Sequence, residues 1–253
     1  MGATRHWMTD GLVIRDYPTV AEKDRFIAIL TRDKGVVRAV AKGAKSLKSR
    51  SGAGTQLLCY GKFSLIPGKD KYIVEDAKPL DVFFALREDV EKLALAQYFC
   101  ELALHLAPTD ANAEEHLRLL LNGLHFLAAG EREPLLIKAV VEMRLLCQEG
   151  YAPDLSGCSR CGKEAGDLFF SPVSGTLTCG ACGAEQGALP LTDGVLSALR
   201  HIVDGAFERC FSFSLPAAEL GKLADVTERF LLAQTQHTYA TLAFFHTLYS
   251  PAQ

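Results

Sequence analysis

The sequence predicts an α+β multidomain chain: a basic N-terminal barrel of about five short strands, then an α-helical body interrupted by a four-cysteine insertion. Three observations predict it. The apolar pattern has the period of strands up to Lys78 and the period of helices from Val90 onward. The formal charge changes sign near Pro79, from 15 Lys and Arg against 8 Asp and Glu in residues 1–80 to 12 against 22 in residues 81–253. Two Cys-x-x-Cys-Gly units stand in the helical half. These set expected domains of 1–79 and 80–253, with the insertion at about 156–190.

Five runs read as strands: Gly11–Tyr17, Arg25–Thr31, Val36–Ala44, Leu57–Ile66 and Tyr72–Ala77. Asp33-Lys34-Gly35 and Pro67-Gly68-Lys69-Asp70 supply residues that tolerate the backbone angles of tight turns. Five short strands over this length suggest a closed barrel, and among such barrels the OB-fold carries oligonucleotides; strand counting does not separate it from SH3-like barrels. The helical half begins at Val90, where apolar residues recur at helical spacing to Leu106, with Pro108 beyond. Glu114–Ala129 closes at Gly130, and Pro134–Glu149 opens on a first-turn proline and closes at Gly150. Thr192–Asp204 and Ala217–Tyr249 continue the helical pattern beyond the cysteines.

Cys158-Ser159-Arg160-Cys161-Gly162 and Cys179-Gly180-Ala181-Cys182-Gly183 enclose 17 residues. Two-residue spacing lets both thiolates of a pair face one ion, and the following glycine permits the turn that aims backbone N–H groups at sulfur. Two such pairs complete a tetrahedron, so Cys158, Cys161, Cys179 and Cys182 are expected to hold one structural zinc, with no open position for a catalytic water. Disulfides, a redox pair or cysteines sharing a core are the alternatives; both pairs are read as set in loop residues, which disfavours redox chemistry. Cys59, Cys100, Cys147 and Cys210 stand alone in apolar contexts and read as core residues.

The net charge of −3 therefore conceals +7 in residues 1–80 and −10 in residues 81–253, a distribution that concentrates attraction for polyanions on the N-terminal part. Lys34, Arg38, Lys42, Lys45, Lys48 and Arg50 form its densest stretch and are the candidate DNA contacts, the last three in a Ser- and Gly-rich segment read as a flexible loop. Trp7, Tyr17, Tyr60, Phe63 and Tyr72 are available for stacking on bases, or equally for the core. No catalytic set emerges, and the chain reads as a non-enzyme. Gly61 and Gly68-Lys69 lack the P-loop spacing and Asp70 replaces its hydroxyl residue. The histidines form neither a metal-binding pair nor a partner for a serine elbow. No apolar run approaches a membrane span and no secretory signal is legible, so a cytoplasmic, nucleoid-associated location without membrane contact is expected.

Two stretches carry a family likeness. One joins Gly11-Leu12-Val13-Ile14-Arg15, Asp24-Arg25 and the run from Thr31-Arg32-Asp33-Lys34-Gly35 to Lys42-Gly43-Ala44. The other joins Gly150-Tyr151-Ala152-Pro153-Asp154-Leu155 to the first cysteine pair, with Phe170-Ser171-Pro172 and Gly175 before the second. In order, separation and total length, the chain resembles the RecO family of bacterial recombination mediators, departing from the pattern at Gln56–Tyr60 and in the helices after Pro190. The resemblance implies an N-terminal OB-fold, a helical C-terminal domain with a zinc insertion, and binding of single- and double-stranded DNA. It further implies annealing of complementary strands and action with RecR, and in some lineages with RecF or the tail of single-strand-binding protein, to load RecA on coated DNA. Competing readings are a zinc-bearing protein–protein adaptor, a zinc-ribbon transcription factor, and an enzyme whose site escapes motif reading.

Overall fold

A computed structural model of the chain describes residues 6–46 and 48–249. Five strands come first: β1 Trp7–Tyr17, β2 Arg25–Thr31, β3 Gly35–Ala41, β4 Tyr60–Pro67 and β5 Tyr72–Asp81. They close a barrel in the order β1-β2-β3-β5-β4, with β1 also pairing β4 and with β3 and β5 parallel at Ala39–Tyr72 and Val40–Ile73. That order with one parallel closure is the OB-fold and excludes the SH3-like alternative. Alternation along β3 sends Val37, Ala39 and Ala41 inward to meet Val13, Ile27, Ile29, Phe63, Leu65 and Val74. Trp7 and Tyr72 pack against this core.

Two strands do not alternate. Leu12, Val13 and Ile14, and all of Ile27 to Leu30, are buried whichever face they take. Both faces are buried because α1 (Val90–Leu106) covers β1 and, with α2 (Glu114–Ala129), part of β2. The β2–β3 hairpin is fastened to the α1–α2 connection by backbone bonds from Val36 N–H to Pro108 C=O (2.9 Å), Asp110 N–H to Lys34 C=O (3.0 Å) and Ala113 N–H to Arg32 C=O (2.8 Å). Asp89 starts α1 by accepting from the N–H groups of Glu91 and Lys92.

The remaining helices are α3 Pro134–Gln148, α4 Asp193–Asp204, α5 Ala217–Thr235 and α6 Ala240–Leu248. The single helical run expected over Ala217–Tyr249 is thus two helices. Gln236 takes a left-handed backbone (φ 48°) and its N–H caps Leu232 C=O, ending α5 in a Gln-Thr-Gln-His-Thr stretch without glycine or proline to announce it. The chain forms two compact units, residues 1–129 with 239–253, and residues 130–238. In the first, α6 packs on α1, where the Thr241 N–H donates to Glu101 and the Tyr239 hydroxyl lies 2.9 Å from His105 Nδ1.

In the second unit α3 packs on α5 and α4, and a three-stranded sheet of order β7-β6-β8 joins them, with β6 Leu168–Ser171, β7 Thr176–Cys179 and β8 Leu189–Leu191. Phe170 of β6 meets Phe230 of α5 edge to face at 5.4 Å. Among the described residues no helix is long and apolar enough to cross a membrane.

Candidate functional site

The sulfur atoms of Cys158, Cys161, Cys179 and Cys182 all lie within 4.8 Å of one another, and Cys161 Sγ is 3.6 Å from Cys179 Sγ. A tetrahedral zinc with Zn–S bonds of about 2.3 Å would set its sulfurs about 3.8 Å apart, so the donor set fits in number, chemistry and spacing. The second pair is not in loop residues: Cys179 ends β7, and β7 pairs along its length with β6. The first pair is stitched to that hairpin through the Cys158–Leu177 bridge and the bond from Ser159 N–H to Leu177 C=O (2.8 Å). Gly162 and Gly183, which follow the two pairs, have φ of 74° and 84°, the left-handed backbone a knuckle turn requires.

The Cys158 thiol is lowered to about 6 by the backbone N–H groups of Arg160, Cys161 and Cys179 directed at its sulfur, whereas the Cys182 thiol, hydrogen-bonded to Cys161 and Cys179, is pushed up to about 12. Four sulfurs this close share protons, and a divalent cation is what allows all four to ionise. The clamp on the first knuckle was not legible in the sequence. Arg200 of α4 donates from Nε to Leu155 C=O (2.8 Å) and from Nη2 to the carbonyls of Ser156 (3.2 Å) and Glu164 (3.0 Å). Nothing in a helical pattern marks an arginine as a carbonyl clamp; only the returning chain reveals it.

The basic series lies in the first unit. Arg38 is exposed on β3 with its guanidinium 5.8 Å from the Tyr17 ring centre, and Lys42, Lys45, Lys48 and Arg50 are exposed after β3. The segment is not the open loop its composition suggests. Gly43 N–H donates to Asp24 Oδ1 (2.7 Å), Lys45 N–H to Lys23 C=O (3.0 Å), and Thr55 N–H to Ser51 C=O (3.1 Å), so serines and glycines here build successive turns. Lys34 is different: half-buried in the β2–β3 turn, its Nζ lies 4.5 Å from the Trp7 ring centre, 5.5 Å from that of Tyr72, and 3.1 Å from the Tyr72 hydroxyl.

A groove of about 520 Å³ lies beside these residues, lined by Tyr17, Val36–Arg38, the β4–β5 turn from Pro67 to Tyr72, and Leu104, Thr109 and Asp110. Gly68 and Lys69 belong to that turn, where Gly68 N–H meets Lys71 C=O (3.0 Å). Of the 67–72 wall the sequence offered only Tyr72 as a binding candidate, since Pro67-Gly68-Lys69-Asp70 reads only as a hairpin. Of the other aromatics, Phe63 is wholly in the core and Tyr60 half-buried. Cys59 and Cys100 are buried, and burial pushes their thiols up to about 11 and about 12, as expected of inert core residues. Cys210 is buried too, whereas Cys147 is half-exposed, its thiol still raised to about 11 by partial burial.

With this geometry in view, comparison with known families is decisive. Residues 4–83 match the model for the recombination protein O N terminal, and residues 87–243 the model for the recombination protein O C terminal. The chain belongs to the recombination protein O family. Curated relatives called DNA repair protein RecO include that of Acetivibrio thermocellus, 37% identical over 95% of this chain and 96% of the relative. Those of Symbiobacterium thermophilum and Desulforudis audaxviator are each 32% identical, covering 95% and 96% of this chain and 97% and 98% of their own lengths. As a member of the recombination protein O family the chain is a DNA repair protein whose N-terminal barrel has the fold that family membership implied.

Proposed function

We propose that this chain is a non-enzymatic recombination mediator that binds single- and double-stranded DNA, anneals complementary strands and, with RecR, loads RecA on DNA coated by single-strand-binding protein. RecF and the tail of single-strand-binding protein are further partners in this reading, and its place of action is the nucleoid in the cytoplasm. The observation that carries it is the run of exposed cations, Arg38, Lys42, Lys45, Lys48 and Arg50, on and after β3 of an OB barrel, with half-buried Lys34 in the turn before β3. Exposed cations on and after one strand of a barrel can neutralise phosphates of two strands together and so lower the repulsion that opposes their pairing.

Five phosphate contacts on a single strand give a logarithmic salt slope of about −3.5, and charge reversal of Arg38 and Lys42 should bring it to about −2. Fluorescence anisotropy of a sequence-random single strand, titrated at several salt concentrations with and without its complement, measures both slope and annealing. An unchanged slope in the reversed variant removes the phosphate assignment. No binding at low salt removes the DNA reading and leaves a zinc-bearing adaptor.

Zinc in the four-cysteine site supplies a cross-link between the two knuckles and no chemistry of reaction. Metal analysis after dialysis should return about one zinc per chain, and less than about half an equivalent would overturn the site. Arg200→Met should speed loss of that zinc to a chelator several-fold, with the rate followed by a colorimetric zinc indicator, because three carbonyls flanking the first knuckle lose their donor.

A further inference from the structure

The groove beside β3 differs in charge from the segment that follows it. Its lining holds Arg38, Lys69 and Lys71 against Asp70 and Asp110, a net of only +1, whereas Lys42, Lys45, Lys48 and Arg50 stand exposed with no ion-pair partner recorded among the described residues. A nearly balanced groove is poorly suited to hold several phosphates, but it has aromatic walls. Tyr17 lines one part, its ring tilted against that of Phe26 at 5.0 Å, and Tyr72 lines another, 5.2 Å from Trp7. Both tyrosines are half-buried, so part of each ring remains accessible.

Lys34 completes the second pair. Its ammonium sits against the Trp7 and Tyr72 rings and beside the Tyr72 hydroxyl, so its charge is already engaged by the protein. The three residues come from β1, the β2–β3 turn and β5, elements that only barrel closure brings together.

We infer that the groove takes the bases of a single strand, with Tyr72 and Tyr17 as stacking surfaces, and that Lys34 is a positioning residue fixing the Tyr72 ring and not a phosphate contact. The inference rests on the DNA-binding reading above and divides its labour: rings in the groove receive bases, while cations from Arg38 through Arg50 follow the backbone. A duplex, whose bases are already stacked on one another, gains nothing from the rings. The groove therefore selects single-stranded over double-stranded nucleic acid.

The test uses the full chain, a mixed-sequence single strand and the same sequence as duplex. Tyr72→Leu should weaken single-strand binding about 10-fold, with the salt slope and the duplex affinity of the unaltered protein. Tyr72→Phe keeps the ring and should retain most of the affinity, which also guards against a folding defect in the leucine variant. Lys34→Met should weaken single-strand binding severalfold at unchanged slope, and Lys34→Arg should restore it. Trp7, the only tryptophan, should change emission as the strand saturates the groove.

Wild-type affinity in Tyr72→Leu, or equal losses in the leucine and phenylalanine variants, overturns the stacking role. A slope reduced by about 0.7 in Lys34→Met makes Lys34 a phosphate contact, and an unchanged affinity there removes its positioning role. Failure of the unaltered protein to bind either nucleic acid sinks the DNA-binding reading itself, a result distinct from all of these.

Discussion

Replacing Gly35 by alanine should destabilise the first unit by about 3–5 kcal/mol, the largest effect expected of any added methyl group in the barrel. Gly35 has φ of +61°, and a Cβ there would lie 1.8 Å from the carbonyl oxygen of Pro108 and 2.7 Å from its carbonyl carbon. Neither is the movable end of a side chain, so the hairpin and the α1–α2 connection must part. Parting them strains the three backbone bonds that fasten Arg32, Lys34 and Val36 to residues 108–113, each contributing about 1 kcal/mol net. Left-handed backbone adds about 1 kcal/mol for any residue with a Cβ.

Gly43 provides the control. Its φ is +63°, yet the nearest atom to an added Cβ is Ser46 Oγ at 3.9 Å, so Gly43→Ala should cost only the backbone term of about 1 kcal/mol. Urea unfolding followed through Trp7, which reports the barrel, compares the two. Equal midpoints would mean that the fastening of hairpin to helical connection contributes little.

That fastening also shows which parts of the fold the sequence could disclose. β2 and α2 have the ends the pattern predicted, because Arg25–Thr31 is an apolar run between turn residues and Glu114–Ala129 closes at a glycine. Strands β6, β7 and β8 have four, four and three residues, too few for a period to register, so the cysteine pairs read as loop. The break at Gln236 was hidden for a different reason. Its left-handed residue is one of four non-glycine examples among the described residues, and α6 packs on α1, more than a hundred residues earlier.

The site divides the same way. The four cysteines could be grouped from spacing because a shared ion constrains near neighbours in sequence, whereas the surroundings of Lys34 depend on Trp7 and Tyr72, distant in sequence and joined only by barrel closure. Sequence ranks Lys34 with the other cations; geometry separates it from them.

The second large effect lies in the core of the second unit. Lys138 of α3 is buried at 1% exposure, with Nζ 2.7 Å from Glu142 Oε1 and 2.7 Å from Glu228 Oε2, and Glu142 accepts a 2.7 Å bond from the Thr227 hydroxyl. Glu142 is fully buried, whereas the Glu228 side chain keeps 21% exposure. Burial pulls the Lys138 pKa down, but the two carboxylates more than offset it, and the group ends above the usual lysine value. A pKa raised in the folded state contributes stability that is fully present below the unfolded value of about 10.4 and lost as pH rises through the folded value, so the contribution of Lys138 should hold through neutral pH and be lost on the alkaline side in strong alkali.

Lys138→Met should therefore cost about 3–5 kcal/mol at pH 7, because it leaves the Glu142 carboxylate buried without its cation. Much of that cost belongs to the stranded charge. Adding Glu142→Gln removes the charge while keeping a carbonyl for Thr227, and the double variant should regain about half the loss or more; Glu228, closer to water, can be solvated where it stands. Thermal unfolding of the two single variants and the double closes the cycle. If the double variant is as unstable as the sum of the singles, the network stabilises α3 against α5 through packing of the lysine stem, and the ion pairs themselves contribute little.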